Sequence, residues 1–92
     1  DQNVKVSNNI VHGVALHCIG VTTENYASSE ISKIAIQNNM LYDCGTHGVF
    51  VDANSSRINT VIIDNNTISR TNNSAIRNDG GTDIIIGTNW LR

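Results

Sequence analysis

The chain has 92 residues, of which eight are acidic and six basic, giving a formal net charge of -2. Because the basic side chains are outnumbered and do not cluster, we expect no nucleic-acid partner, and no membrane contact is expected because no apolar stretch approaches the ~20 residues that cross a bilayer. Hydrophobic residues make up 39% of the chain but aromatic residues only 4%, which favours thin layers of Val, Ile, Leu and Ala over a core with large aromatic anchors.

Four segments of the chain share one pattern and predict a structural repeat. The pattern is an apolar residue, any residue, an apolar residue, a polar residue, Asn or Thr, Asn, any residue and an apolar residue. The copies begin near Val4, Ile34, Val61 and Ile84, in steps of 30, 27 and 23 residues. The shrinking steps are typical of one constant unit joined by surface loops of different length.

Each copy predicts three short strands. Apolar and polar residues alternate before the asparagine pair, which indicates a strand, and Asn tolerates the left-handed backbone of a sharp corner before a second strand. Third strands are predicted where a small residue opens an alternating segment, at 13–16, 48–51 and 75–78. No hairpin or helix fits between the copies, so each strand must pair with its equivalent in the next copy.

Stacked copies would place equivalent asparagines above one another. Amide side chains can then bond from copy to copy, so we expect a structural column formed by Asn9, Asn39, Asn66 and Asn89. The predicted fold class is all-β: a parallel β-helix of about three to four coils with three short strands each. The coils would rise by roughly 4.8 Å and form a single segment over residues 1–92.

The cysteines and histidines give no metal or cofactor signal. Cys18 and Cys44 are too few for a disulfide framework and lack zinc spacing, so we predict two half-buried small hydrophobic side chains, with one disulfide as the alternative. His12 and His47 each precede a Gly that opens a predicted third strand, so we expect them to stack. His17 would then lie a strand length away, roughly 13 Å, too far to complete a three-histidine metal site.

The pattern resembles the right-handed β-helix repeats of the pectate lyase superfamily, which includes pectinases, alginate epimerases and phage tailspikes. The resemblance covers the four copies from Val4 to Leu91 and includes their asparagine corner. It implies a segment of an extracellular or virion protein that binds or degrades polysaccharide, as a glycoside hydrolase, lyase or epimerase. The alternative is a non-catalytic β-helix that binds glycan or acts as a rigid spacer.

In such relatives, the third strands and their flanking loops form the sugar groove. Alternation predicts two outward columns on this sheet, namely Ala15, Phe50 and Arg77 in one and His17, Asp52 and Asp79 in the other. Asp52 and Asp79 would be catalytic carboxylates, and Arg77 would bind a sugar carboxylate. Asp at a strand end also commonly bonds the following turn, so a structural role for both acids stays open.

Further substrate contacts are predicted beside these acids. His17 lies in the second column, and Phe50 would stack on a sugar ring, contact another chain or be exposed by chance. The longest insertion, at 19–29, contributes Glu24 and Tyr26 as candidates for binding.

The bare strand edges of about three and a half coils invite pairing. We therefore expect flanking β-helix sequence or sister chains, for example in a homotrimer.

Overall fold

A computed structural model describes residues 4–22, 30–53 and 57–92. These residues form strands and turns and contain no α-helix, so none of them belongs to a helix that could cross a membrane. In chain order, the strands are β1 (Val4–Ser7), β2 (Ile10–Val14), β3 (Ile19–Thr22), β4 (Glu30–Gln37), β5 (Met40–Cys44), β6 (Val49–Asp52), β7 (Arg57–Asp64), β8 (Thr67–Thr71), β9 (Ile76–Asp79), β10 (Thr82–Ile86) and β11 (Trp90–Leu91).

Among the described residues, all strand pairs are parallel and fall into three sheets. Sheet A has the order β1-β4-β7-β10, sheet B the order β2-β5-β8-β11, and sheet C the order β3-β6-β9. Each strand pairs with the equivalent strand of the preceding or following copy rather than with its neighbour in the chain. This all-β arrangement is compatible with a parallel β-helix.

The register of sheet A follows the repeat pattern. Ile34 lies opposite both Val4 and Val61, and Ile84 lies opposite Val61. The alignment of the four copies therefore predicts this register correctly. We number the copies that begin near these residues as repeats 1 to 4.

The asparagine side chains at the corner between sheets A and B form hydrogen bonds between repeats. The Nδ2 group of Asn9 donates to Oδ1 of Asn39 at 3.1 Å, Asn39 donates likewise to Asn66 at 2.9 Å, and Asn66 to Asn89 at 3.0 Å. Asn39 and Asn66 are buried. The side-chain amides of Asn39 and Asn66 therefore provide hydrogen-bond partners for polar groups that water cannot reach.

Bends in the backbone recur at equivalent positions of successive repeats. The residue before each bonded asparagine is left-handed in repeats 1 to 3, at Asn8, Asn38 and Asn65. Two further sets of left-handed residues interrupt the strands of sheets A and B, and these are Lys33, Thr60 and Asp83, and Gly13, Asp43 and Arg70. In-register strands stay paired only when their backbones follow the same path, so a bend in one repeat recurs in the next.

The core lies between the three sheets and is built mostly from aliphatic side chains of repeats 2 and 3. Among the described residues, the aliphatic side chains with no exposed surface are those of Ile36, Leu41, Val49, Val51, Val61, Ile63 and Ile68. They alternate with outward residues along each strand, as a sheet with one buried face requires. The outward faces are therefore separate from the core.

The predicted third strand of repeat 1 is wrong. Residues 13–14 end β2, and residues 15–16 belong to the following turn, where Leu16 is 62% exposed. The third strand is instead β3, with Ile19 opposite Val49. Gly13 marks the left-handed bend that Asp43 occupies in repeat 2, not the start of a strand. The insertion predicted at 19–29 therefore begins with a strand, and residues 23–29 lie outside the described residues.

The preferred prediction for the cysteines, two separate half-buried side chains, is wrong, and the alternative of one disulfide is confirmed. Cys18 and Cys44 form a disulfide, with their Cα atoms 5.4 Å apart. Cys18 lies in the turn before β3, and Cys44 is the last residue of β5. Their separation of 26 residues differs from the 30-residue step between repeats 1 and 2, so they occupy different positions of the repeat. The bond therefore fastens the turn of one repeat to a strand of the next.

Candidate functional site

The outward face of sheet C carries a row of three positions from successive repeats. Phe50 lies opposite Gly20 on one side and Arg77 on the other. Ala15, which the sequence places in this row, lies in the turn after β2. The predicted column is therefore corrected at its first member, because β3 begins later than expected.

The imidazole of His17 fills the place that Gly20 leaves open. A Cβ atom built on Gly20 would lie 2.7 Å from Cδ2 of His17 and still closer to Nε2. The His17 ring meets Phe50 edge to face, with the ring centres 5.5 Å apart. His17 thus joins the row of Phe50 and Arg77 although it precedes the strand, and we call His17, Phe50 and Arg77 the sheet C row.

His47 lies beside this row and is only 6% exposed. Its ring centre is 5.1 Å from that of Phe50, and its Nδ1 atom accepts a hydrogen bond from the backbone N–H of Ser74 at 3.2 Å. A neutral His47 therefore carries its proton on Nε2. The roughly 13 Å predicted between His17 and His47 is wrong, since both rings contact Phe50. The cause is the later start of β3, which places His17 before the third strand and not at its end.

The predicted stack of His12 on His47 is wrong as well. His12 belongs to sheet B and stacks on Tyr42, with ring centres 4.8 Å apart and planes 5° from parallel. The two histidines differ in their position within the repeat, because His12 lies within β2 and His47 precedes β6. Among the described residues, no group of three or more His, Cys, Asp or Glu side chains is placed to hold a metal ion.

The predicted acids lie in register on adjacent strands of sheet C. Asp52 is opposite both Thr22 and Asp79. Thr22 thus takes the place in this column that was predicted for His17. Neighbouring parallel strands are about 4.8 Å apart, so the two acids project from adjacent strands on the same face of sheet C.

Arg77 links the acids to the sheet C row. Its Nε atom donates to Oδ1 of Asp79 at 3.1 Å, and its guanidinium carbon lies 6.0 Å from the centre of the Phe50 ring. About half of each charged side chain is exposed, 52% for Arg77 and 44% for Asp79. Within the described residues, the two terminal nitrogens of Arg77 make no hydrogen bond, so they can donate to a ligand.

The structure thus brings together most of the predicted site residues. His17, Phe50, Asp52, Arg77 and Asp79 share the outward face of sheet C. Phe50 is less open than predicted, because two imidazoles and a guanidinium surround its ring. Glu24 and Tyr26 lie outside the described residues.

His47 and Gly20 also belong to this site, although neither is predicted there from the sequence. The spacing holds the signal: the 30-residue step from Val4 to Ile34 also relates His17 to His47 and Gly20 to Phe50. Applying one step to every position of the repeat finds both pairs.

A second outward cluster lies on sheet B. Arg70 donates to both carboxylate oxygens of Asp43, at 2.7 and 3.1 Å, and lies 5.4 Å over the Tyr42 ring. His12 covers Tyr42 as well. These side chains satisfy one another across three repeats, which indicates a structural role.

The chain was compared with protein-family models, curated proteins and solved structures, and nothing matches.

Proposed function

We propose that the chain is a segment of a right-handed parallel β-helix of the pectate lyase type, from a protein that binds or degrades polysaccharide. Three parallel sheets with matching register support this fold, and so do the bonds among Asn9, Asn39, Asn66 and Asn89, which have the form of a β-helix asparagine ladder. Each turn of chain through the three sheets would be one coil.

The observation that carries the function is the register of Asp52 with Asp79 beside Arg77. Two carboxylates on adjacent strands can divide the roles of acid and base, or acid and nucleophile, in glycoside cleavage. Arg77 would hold the carboxylate of a uronic-acid residue with its terminal nitrogens. Phe50 and His17 would contact the sugar ring. The ligand class is therefore a uronic-acid polysaccharide.

The disulfide supports an extracellular or virion location. Disulfides such as Cys18–Cys44 persist in oxidising compartments and are rare in the cytosol.

Flanking β-helix sequence or sister chains, as in a homotrimer, are the proposed protein partners. The outward column of sheet B supports packing against another chain, since it includes the exposed hydrophobic side chains of Ile10, Met40 and Trp90.

A second candidate function is a non-catalytic glycan-binding segment or spacer. It is favoured by the ion pair that Asp79 makes with Arg77, and by the covered ring of Phe50. A scaffold of this kind would still present Arg77 to a glycan. Turnover distinguishes the two candidates.

The test uses polygalacturonate and alginate as substrates, with reducing-sugar and unsaturated-uronate assays. Asp52→Asn and Asp79→Asn should each lower turnover by about 100-fold or more, because each removes a general acid or base. Asp43→Asn, at an exposed acid of sheet B, is the matched control and should leave turnover unchanged. Unchanged turnover in both sheet C variants would remove the catalytic site, and binding without turnover in the wild type would favour the second candidate.

A further inference from the structure

Gly20 stands out on sheet C because the space above it is already occupied. On the neighbouring strands, Phe50 lies opposite Gly20 and Arg77 lies opposite Phe50. The His17 ring lies where a side chain at position 20 would project. Any side chain at this position would have to displace the imidazole. No positive φ angle requires glycine here, so the reason for glycine at this position is space.

The turn that carries His17 is fastened on both sides of that residue. The N–H of Thr46 donates to the carbonyl of Leu16 at 3.1 Å, and the N–H of Cys18 donates to the carbonyl of His47 at 3.0 Å. The disulfide then joins Cys18 covalently to Cys44 in the next repeat. The residue next to His17 is thus fixed to repeat 2, which also supplies Phe50.

We propose that Gly20 and the Cys18–Cys44 disulfide are positioning elements that hold the His17 imidazole in the sheet C row as a ligand contact. The contact rests on the proposed function: a nitrogen of the imidazole bonds a sugar hydroxyl while Arg77 holds the carboxylate of the same uronate chain. The position of the ring is independent of any ligand. Reduction of the disulfide loosens the turn and weakens binding, so the site depends on an oxidising environment.

The first experiment reads the position of the ring directly. Proton NMR should show a nuclear Overhauser effect between the rings of His17 and Phe50, assigned with a His17→Gln variant. Gly20→Ala should abolish it, because the added methyl group takes the place of the imidazole. The effect between His12 and Tyr42, on sheet B, should persist and shows that the variant is folded.

A matched control substitutes another glycine that is crowded by a side chain. A Cβ atom on Gly87 would lie 3.0 Å from Cγ of Asp64, far along the chain from this site. Gly87→Ala should therefore leave the contact between His17 and Phe50 intact. Persistence of that contact in Gly20→Ala would overturn the positioning role of Gly20.

The second experiment measures binding of an oligogalacturonate by calorimetry. Gly20→Ala and His17→Gln should each weaken it by about five- to ten-fold, the effect of one hydrogen bond, and the double variant should be no weaker than either. Treatment of the wild type with dithiothreitol, or Cys18→Ser with Cys44→Ser, should weaken both the ring contact and binding.

Each of the following outcomes would contradict a different part of the proposal. Loss of the ring contact with unchanged binding would overturn the role of His17 as a ligand contact. An intact contact and unchanged binding after reduction would overturn the role of the disulfide. A wild type that binds no uronate would remove the proposed function, while the NMR comparison would still decide how His17 is positioned.

Discussion

The asparagine column inside the stack and the sheet C row outside it use polar side chains in opposite ways. The side chain of Asn66 makes four hydrogen bonds: it accepts from the backbone and side chain of Asn39 and donates to the carbonyl of Ile36 and to the side chain of Asn89. An amide side chain has two donor hydrogens and two acceptor lone pairs, so its capacity is used. Arg77 has five donor hydrogens and bonds one acceptor among the described residues.

The difference shows at which positions of the repeat the residue type must be the same in every copy and at which positions it can vary. A buried amide must match the repeats above and below it, so every copy has the same residue there. An outward side chain does not have to match the equivalent side chains of the neighbouring repeats. The sheet C row therefore differs between repeats, with Gly20 and His17 in repeat 1, Phe50 in repeat 2 and Arg77 in repeat 3. Specific chemistry can develop only at such positions.

The largest effect is expected from Asn66→Ala. The substitution leaves buried partners of a fully buried amide unsatisfied, at about 1–3 kcal/mol for each, and we expect the free energy of unfolding to fall by about 4 kcal/mol. Asn9→Ala, at the exposed equivalent in repeat 1, should cost about 1 kcal/mol or less. Urea unfolding measures both.

Equal losses at the two asparagines would contradict the distinction between a buried column and its exposed end. Uronate binding by the folded fraction of Asn66→Ala should match the wild type, because the substitution leaves the sheet C row in place.

A slightly smaller effect is expected from removing the disulfide. The bond closes a loop between residues separated by 26 positions, which corresponds to about 3.5 kcal/mol of stability in the chain-entropy model. Cys18→Ser with Cys44→Ser should lower the urea midpoint by the corresponding amount. Dithiothreitol should reproduce this shift in the wild type and have no effect on the double variant. A wild type that is indifferent to the reductant would contradict this contribution.

The sequence predicts the pairings that depend on repetition. Alternation and the shared asparagines suffice to align Val4 with Ile34, Val61 and Ile84, as sheet A has them. The signal is strong because a parallel in-register stack repeats the same local requirement in every copy. The outward placement of Phe50 and Arg77 follows from the same alternation.

The features that the sequence does not predict depend on contacts between unlike positions. The bend residues Lys33 and Arg70 are not of the Gly or Asn type that indicates a left-handed backbone; the neighbouring repeats impose their conformation. The disulfide joins non-equivalent positions, so no alignment of copies finds it. Gly13 predicts the start of a strand but marks a left-handed bend within β2, because a glycine is equally suited to a bend and to the turn before a strand.

The central claim is that the outward face of sheet C, not the stack in general, binds the ligand, and two matched arginines test it most directly. Arg70 and Arg77 are both exposed, each pairs with an aspartate, and each lies near an aromatic ring, on sheets B and C respectively. Calorimetric titration of an oligogalacturonate should show about ten-fold weaker binding in Arg77→Gln, from loss of a charged hydrogen bond, and unchanged binding in Arg70→Gln. Equal losses in the two variants, or full affinity in Arg77→Gln, would contradict the claim.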